Sequence, residues 1–146
     1  HRRSPSLDQS EAMLDTDTPE QISEVALSVF RKRPLRLGCA QAVLYAFKDD
    51  IDNGTLKLGG EFAGKSAEHC MVNADVYNHG ADTEGMCGGL HSAIVCCPDI
   101  EDAMRQHFTE TAGSVRCREI RKKRVWSCQE CVRQATTLVA THLQKD

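Results

Sequence analysis

Aromatic residues are scarce in this 146-residue sequence, at 5%, so a core has to be assembled mainly from Leu, Val, Ile and Ala. No apolar run approaches the roughly 20 residues of a membrane-spanning helix, and nothing resembles a secretory h-region. Neither sign of charge dominates. The formal net charge of -3 provides no long-range attraction to nucleic acid or to an anionic membrane. No segment alternates apolar and polar residues with period two, the mark of a half-buried strand. Walker, GxGxxG, GxSxG and HExxH patterns are missing, which leaves nucleotide-binding and hydrolase readings without support. His1-Arg2-Arg3 is followed by no apolar stretch and does not read as a twin-arginine signal; whether an upstream signal has been removed is open.

What is present is helical periodicity. The length suits one domain and the 40% apolar content suits an ordinary core. Residues 1–17 show little pattern and are expected to form a flexible arm, with residues 18–146 as a single helical domain. Thr18-Pro19-Glu20-Gln21 carries a capping-box signature with Pro at the first helical position. Ile22, Val25, Ala26, Val29 and Phe30 follow as an apolar stripe, and Arg31-Lys32-Arg33 suits the helix C-terminus before Pro34. A second helix is expected over 38–50, closed by Asp52-Asn53-Gly54, and a short one over 55–63 interrupted by Gly59-Gly60. Residues 64–85, rich in Asn, Asp, His and Gly, read as a long irregular loop. Further helices are expected over 88–97, 99–112 (with Gly113 as the stop) and 114–120. The last helix follows Arg121-Lys122-Lys123-Arg124 and starts at Ser127-Cys128-Gln129-Glu130, a second capping box; Val132, Ala135, Val139 and Leu143 supply its buried face. Trp126 reads as a core plug. The fold class is all-α, a compact multi-helix domain with a long loop near 64–85.

Cysteine is the excess: there are eight. An even count would allow a secreted disulfide framework, but a chain of this length and helical pattern does not need four staples. Cys39 follows Gly38 at a helix start. Cys87 lies in Gly85-Met86-Cys87-Gly88-Gly89, where glycines permit close backbone approach. Cys117 sits between Arg116 and Arg118, and Cys128 falls in the first turn of the last helix. Helix N-termini and adjacent positive charge favour the thiolate, the form that binds metals and attacks disulfides. Buried structural cysteines are the alternative. Cys128-Gln129-Glu130-Cys131 is a CxxC, ambiguous between a dithiol pair, half a zinc site and a cluster ligand pair. With no second CxxC, a four-cysteine zinc ribbon is disfavoured, and with no preceding strand so is a thioredoxin-like setting. Cys96 and Cys97 read as core packing, and Cys70 beside His69 as an extra ligand or a bare thiol. His91, four residues after Cys87, is a candidate neighbour of the site; His69 and His79 read as solvated, His107 and His142 as boundary residues.

In that order the four favoured cysteines resemble the signature of a family of small prokaryotic redox-active proteins named for the C_GCAxxG_C_C pattern, a domain also found in split-Soret cytochrome c. The matching pieces are residues 38–44, 87–94 and 113–119, and Cys128 ahead of Val132-Arg133-Gln134-Ala135, within about residues 20–143. Gly89 stands where the pattern has Ala, and Ser92 where it has a final Gly. The resemblance implies a helical domain and an iron–sulfur cluster of the [2Fe–2S] type held by Cys39, Cys87, Cys117 and Cys128; Cys70, Cys96, Cys97 and Cys131 do not match. The expected function is electron transfer to a redox partner protein, with a carrier favoured over a catalyst and no nucleic acid or membrane span involved. Two alternatives are thiol–disulfide exchange by Cys128 and Cys131, and a structural or sensing zinc site. The sequence leaves open whether one chain or a homodimer holds the cluster. A cluster protein suggests the cytoplasm, while the cytochrome relative keeps the periplasm open.

Overall fold

The first helix begins where its capping residues direct it. In the computed structural model, which describes residues 17–80 and 85–144, α1 runs Pro19–Val29. Thr18 Oγ1 accepts from the Gln21 N–H at 3.1 Å, and Gln21 Oε1 accepts from the Thr18 N–H at 2.8 Å. Two otherwise orphaned donors are thereby satisfied. The buried face keeps Ala26, Val29 and Phe30 of the expected stripe and adds Ser23 and Leu27, while Val25 is 40% exposed. α1 packs on both α2 and α8 (ranges below), so its covered arc widens around Ala26. Ser23 tolerates burial because its hydroxyl donates to Glu20 O at 2.7 Å.

After Phe30 the chain loops out and is clamped on its return. The Arg31 N–H donates to Leu37 O at 2.8 Å and the Leu37 N–H to Val29 O at 2.9 Å. This closure delivers Gly38 to α2 (Cys39–Ala46). The expected helix over 38–50 is in fact two, because Phe47 leaves the helical region at φ -115° and ψ 20° with its ring buried; α3 (Lys48–Asp52) follows. A single 3₁₀ turn, Gly60–Phe62, stands for the expected short helix over 55–63.

The segment expected to be an irregular loop over 64–85 is largely helical. Ser66 Oγ accepts from the His69 N–H at 3.1 Å and starts α4 (Ala67–Asn73), which tightens into a 3₁₀ stretch, Ala74–Gly80. Ala67, Cys70, Ala74 and Tyr77 are buried at helical spacing, a stripe that the surrounding polar residues disguise. α5 (Gly88–Cys96) is next, then a 3₁₀ turn (Pro98–Ile100) and α6 (Glu101–Ala112). Gly113 closes α6 at φ 94°, the left-handed stop its glycine promised. α7 (Cys117–Lys123) and α8 (Cys128–Leu143) complete the order. Half of the second capping box forms: Ser127 Oγ accepts from the Glu130 N–H at 3.1 Å, but the Glu130 carboxylate turns to Arg133 and Gln134.

α1, α2, α5 and α8 pack around one core, joined by the rings of Phe47, Phe62 and Phe108. Trp126 plugs it as expected, edge-on to Phe108 with centroids 5.0 Å apart. Among the described residues there is no strand, only two isolated bridges, and no helix is long and apolar enough to cross a membrane. The all-α expectation holds. The proposed arm at 1–17 lies outside the described residues except for Asp17, whose carbonyl accepts from Gln144 at 2.7 Å.

Candidate redox centre

Four cysteines begin four helices. Cys39, Cys117 and Cys128 are the first residues of α2, α7 and α8, and Cys87 is the N-cap of α5. Two pieces of local structure bring these starts together. The segments before α5 and α7 form an antiparallel bridge at Met86 and Arg116: the Cys87 N–H donates to Val115 O at 2.9 Å, and the Cys117 N–H to Gly85 O at 2.8 Å. This sets Cys87 and Cys117 side by side. The second is Gly88, where a methyl group would stand 2.8 Å from the Cys39 sulfur and 2.5 Å from Tyr77 O. Only hydrogen fits there, so α2 and α5 approach closely enough for Cys39 to reach the α5 start.

The sulfurs contact one another in pairs drawn from separate segments. Cys117 hydrogen-bonds Cys128, and Cys87 hydrogen-bonds Cys131. Cys117 also feels Cys87 electrostatically, which links the two pairs. The backbone N–H groups of Gly89 and Leu90 donate to the Cys87 sulfur, an N-terminal cradle of the kind the glycines suggest. Asn78 supplies what Gly38 lacks as a cap: its Oδ1 accepts from the Ala40 N–H at 2.9 Å and lies 3.9 Å from Cys39 Sγ.

Protonation departs from expectation. The Cys117 thiol is pushed up, first by its hydrogen bond to Cys128, then by burial and the neighbouring sulfurs; Arg121 pulls it the other way. Arg116 and Arg118 do not have the role their adjacency suggests: both are exposed, and Arg116 lies over Gly85. The Cys87 thiol is also raised, by its bond to Cys131 and by burial, against the pull of its two N–H donors. Burial and neighbouring sulfur thus favour the protonated forms of Cys87 and Cys117. Iron or zinc would supply the missing positive charge, and a coordinating thiol then ionises. A set of buried, mutually contacting thiols with N–H donors and an arginine beside them fits a thiolate-ligated group in its chemistry. Among the described residues, however, no three His, Cys, Asp or Glu donors are gathered tightly enough for a single metal ion.

Cys131, which the sequence leaves out of the favoured four, is buried against Cys87. Its position three residues after Cys128 on the same helix is the signal that would have found it. The remaining thiols are elsewhere. Cys70 is fully buried and donates weakly to Phe62 O at 3.9 Å. Burial raises Cys70 and Cys96, and pushes Cys97 to about 11. The ring of His91 stacks on Tyr77 with centroids 4.2 Å apart, and burial lowers its pKa against the pull of Glu61 and Glu101. His69 is exposed, His107 bonds Gln134 at 2.9 Å, and His142 bonds Asp99 at 3.0 Å; the His79 side chain lies outside the described ones.

No protein-family model matches the chain, and neither curated proteins nor solved structures give a significant match. The two departures from the C_GCAxxG_C_C pattern can still be weighed physically. A methyl at Gly89 would meet Ala135, Cys131 and Val43 at an ordinary 3.7 Å, so either residue fits. Ser92 is buried between α5 and α2, and its hydroxyl donates to Ala40 O at 2.7 Å, which removes the cost of placing a polar group there.

Proposed function

We propose that this chain is a small redox protein holding an iron–sulfur cluster, of the [2Fe–2S] type, through Cys39, Cys87, Cys117 and Cys128, and that it serves one-electron transfer as in the C_GCAxxG_C_C family it resembles. The observation that carries the reading is the gathering of helix-initial cysteines from separate segments: Cys117 lies beside Cys128 and near Cys87, and Cys39 packs against the start of α5. A [2Fe–2S] cluster takes four thiolates, two on each iron. When bound, the cluster would accept and return one electron. This chain's residues hold it, shield it and tune it: the Gly89 and Leu90 N–H groups donate toward sulfur, and Arg121 adds positive charge.

Anaerobic purification with iron, acid-labile sulfide and zinc analysis tests this. The expected result is a coloured protein with iron and sulfide in equal amounts. Colourless, iron-free protein from such a preparation would end the reading.

Thiol–disulfide exchange is favoured by one specific observation: the half-exposed Cys128 is hydrogen-bonded to the buried Cys117. That geometry pairs Cys128 with Cys117 rather than with Cys131. A colourless protein forming a reversible Cys117–Cys128 disulfide, located by peptide mapping, would put this reading in place of the first.

A further inference from the structure

A cleft of about 410 Å³ opens over Cys128, lined by Arg31, Arg121, Arg124, Trp126 and Ser127. Cys128 is the one cysteine of the eight that is not buried. Arg31 comes from the loop after α1 and the other two arginines from the end of α7, so two distant basic runs meet at the exposed edge of the sulfur group. Residues 31–36 and 116–124 hold ten of the chain's 18 Lys and Arg residues and one of its 21 acidic ones, Glu119. All ten cations are exposed. The rest of the sequence is therefore acidic on balance, and the modest net charge conceals the concentration of positive charge in these two runs.

Backbone conformation points the same way. Among the described residues three non-glycine positions have positive φ, and all are arginines of these runs: Arg31 at 57°, Arg36 at 51° and Arg124 at 58°. Left-handed backbone suits Gly or Asn far better than Arg. Each run also exposes an aliphatic side chain, Leu35 at 48% and Val125 at 57%. A basic rim with apolar contacts fits a folded acidic protein. A nucleic acid would want aromatic side chains to stack on; the one aromatic lining the cleft, Trp126, is buried.

We propose that this arginine-rimmed cleft is the docking face for an acidic redox partner protein, which binds over Cys128. The inference rests on the cluster reading for why a partner docks there: a single electron crosses at the Cys128 edge, one centre oxidised as the other is reduced, and no atom is transferred. Charge complementarity of this kind steers encounter and orients short-lived complexes.

The test uses the protein as purified and a fluorescent peptide of mixed Glu and Leu, followed by anisotropy at rising salt. Arg31→Asn with Arg124→Asn removes two rim charges while keeping residues that accept left-handed backbone. Lys48→Asn with Lys65→Asn removes the same charge outside the two runs. The expected result is peptide binding that fades with salt and is weakened roughly tenfold by the arginine pair but little by the lysine pair. Equal effects of the two pairs, no binding at low salt, or tighter binding of single-stranded oligothymidine than of the peptide would each overturn the proposal. Iron and sulfide are assayed on the same preparations. Iron-free protein whose peptide binding still depends on Arg31 and Arg124 sinks the cluster and keeps the face; cluster-loaded protein indifferent to the arginine pair does the reverse.

Discussion

The molecule carries two sets of cysteines, and their surroundings differ in kind. Cys39, Cys87, Cys117 and Cys128 start helices, with Cys131 tucked against Cys87; the sulfurs of Cys87, Cys117, Cys128 and Cys131 interact across separate segments, and Cys39 packs at the start of α5. Cys70, Cys96 and Cys97 lie within or at the end of helices and pack among apolar side chains, with burial the main influence on each. A thiol at a helix start has N–H donors beside it and space before it. A thiol in mid-helix behaves as a small hydrophobe. The difference teaches that in this chain position within the helix, more than cysteine count, separates thiols that gather across segments from thiols that pack singly.

The sharpest way to break this comparison is to exchange one cysteine from each set. Cys87→Ser or Cys117→Ser should abolish bound iron and visible absorption, while Cys70→Ala and Cys96→Ala should retain both, read as iron and sulfide per chain. Loss of iron from the second pair as well would erase the distinction. Next in size is Gly88→Ala. The added methyl meets Tyr77 O and the Cys39 sulfur below 3.0 Å, so overpacking of about 1–3 kcal/mol is expected, measured as a lower urea midpoint. Cys96→Ser places a hydroxyl where the buried thiol lies. It should cost about 1–3 kcal/mol if unbonded, with Cys96→Ala less harmful in the same titration.

A pH titration sharpens the comparison further. The Cys97 pKa is raised from 9.0 to about 11. Its protonated form is favoured in the fold, so its contribution is whole below pH 9 and is lost as pH rises toward 11. Cys70, Cys87, Cys96 and Cys117 shift in the same direction. Metal-free protein should therefore lose denaturant resistance above pH 9. Cluster-loaded protein should lose less, because ligated sulfurs have no proton to give up. The smallest effect is expected from Gly89→Ala: a methyl there meets only ordinary contacts, so the helix should gain up to about 1 kcal/mol with iron content unchanged.

Much of the fold is legible from local chemistry. The Thr18–Gln21 box, the Gly113 stop and the Trp126 plug all appear as their residues direct. Residues 64–80 were harder, because polar residues around Ala67, Cys70, Ala74 and Tyr77 hide a helical stripe. Asn78 capping α2 across 38 residues had no local signal at all. For the site, helix-initial placement of Cys39, Cys87 and Cys128 could be read from the glycines and capping residues beside them, whereas Cys117 was expected inside a 114–120 helix and instead begins α7. The CxxC spacing offered Cys131 without saying that it would lie against Cys87, and the role of Arg121 in place of Arg116 and Arg118 had no local signal.

The sequence by itself determined where α1, α2, α5 and α8 begin, that Cys39, Cys87 and Cys128 stand at those beginnings, and which segments carry positive charge. These follow from capping, periodicity and composition, all of them interactions between near neighbours. Only the tertiary structure decided which sulfurs lie together, that burial and neighbouring sulfur raise the Cys87 and Cys117 thiols, and that Arg31 meets Arg121 and Arg124 over Cys128. Those outcomes depend on burial and on contacts between distant segments. They are created when the Met86–Arg116 bridge and the close α2–α5 approach at Gly88 draw the helix starts together.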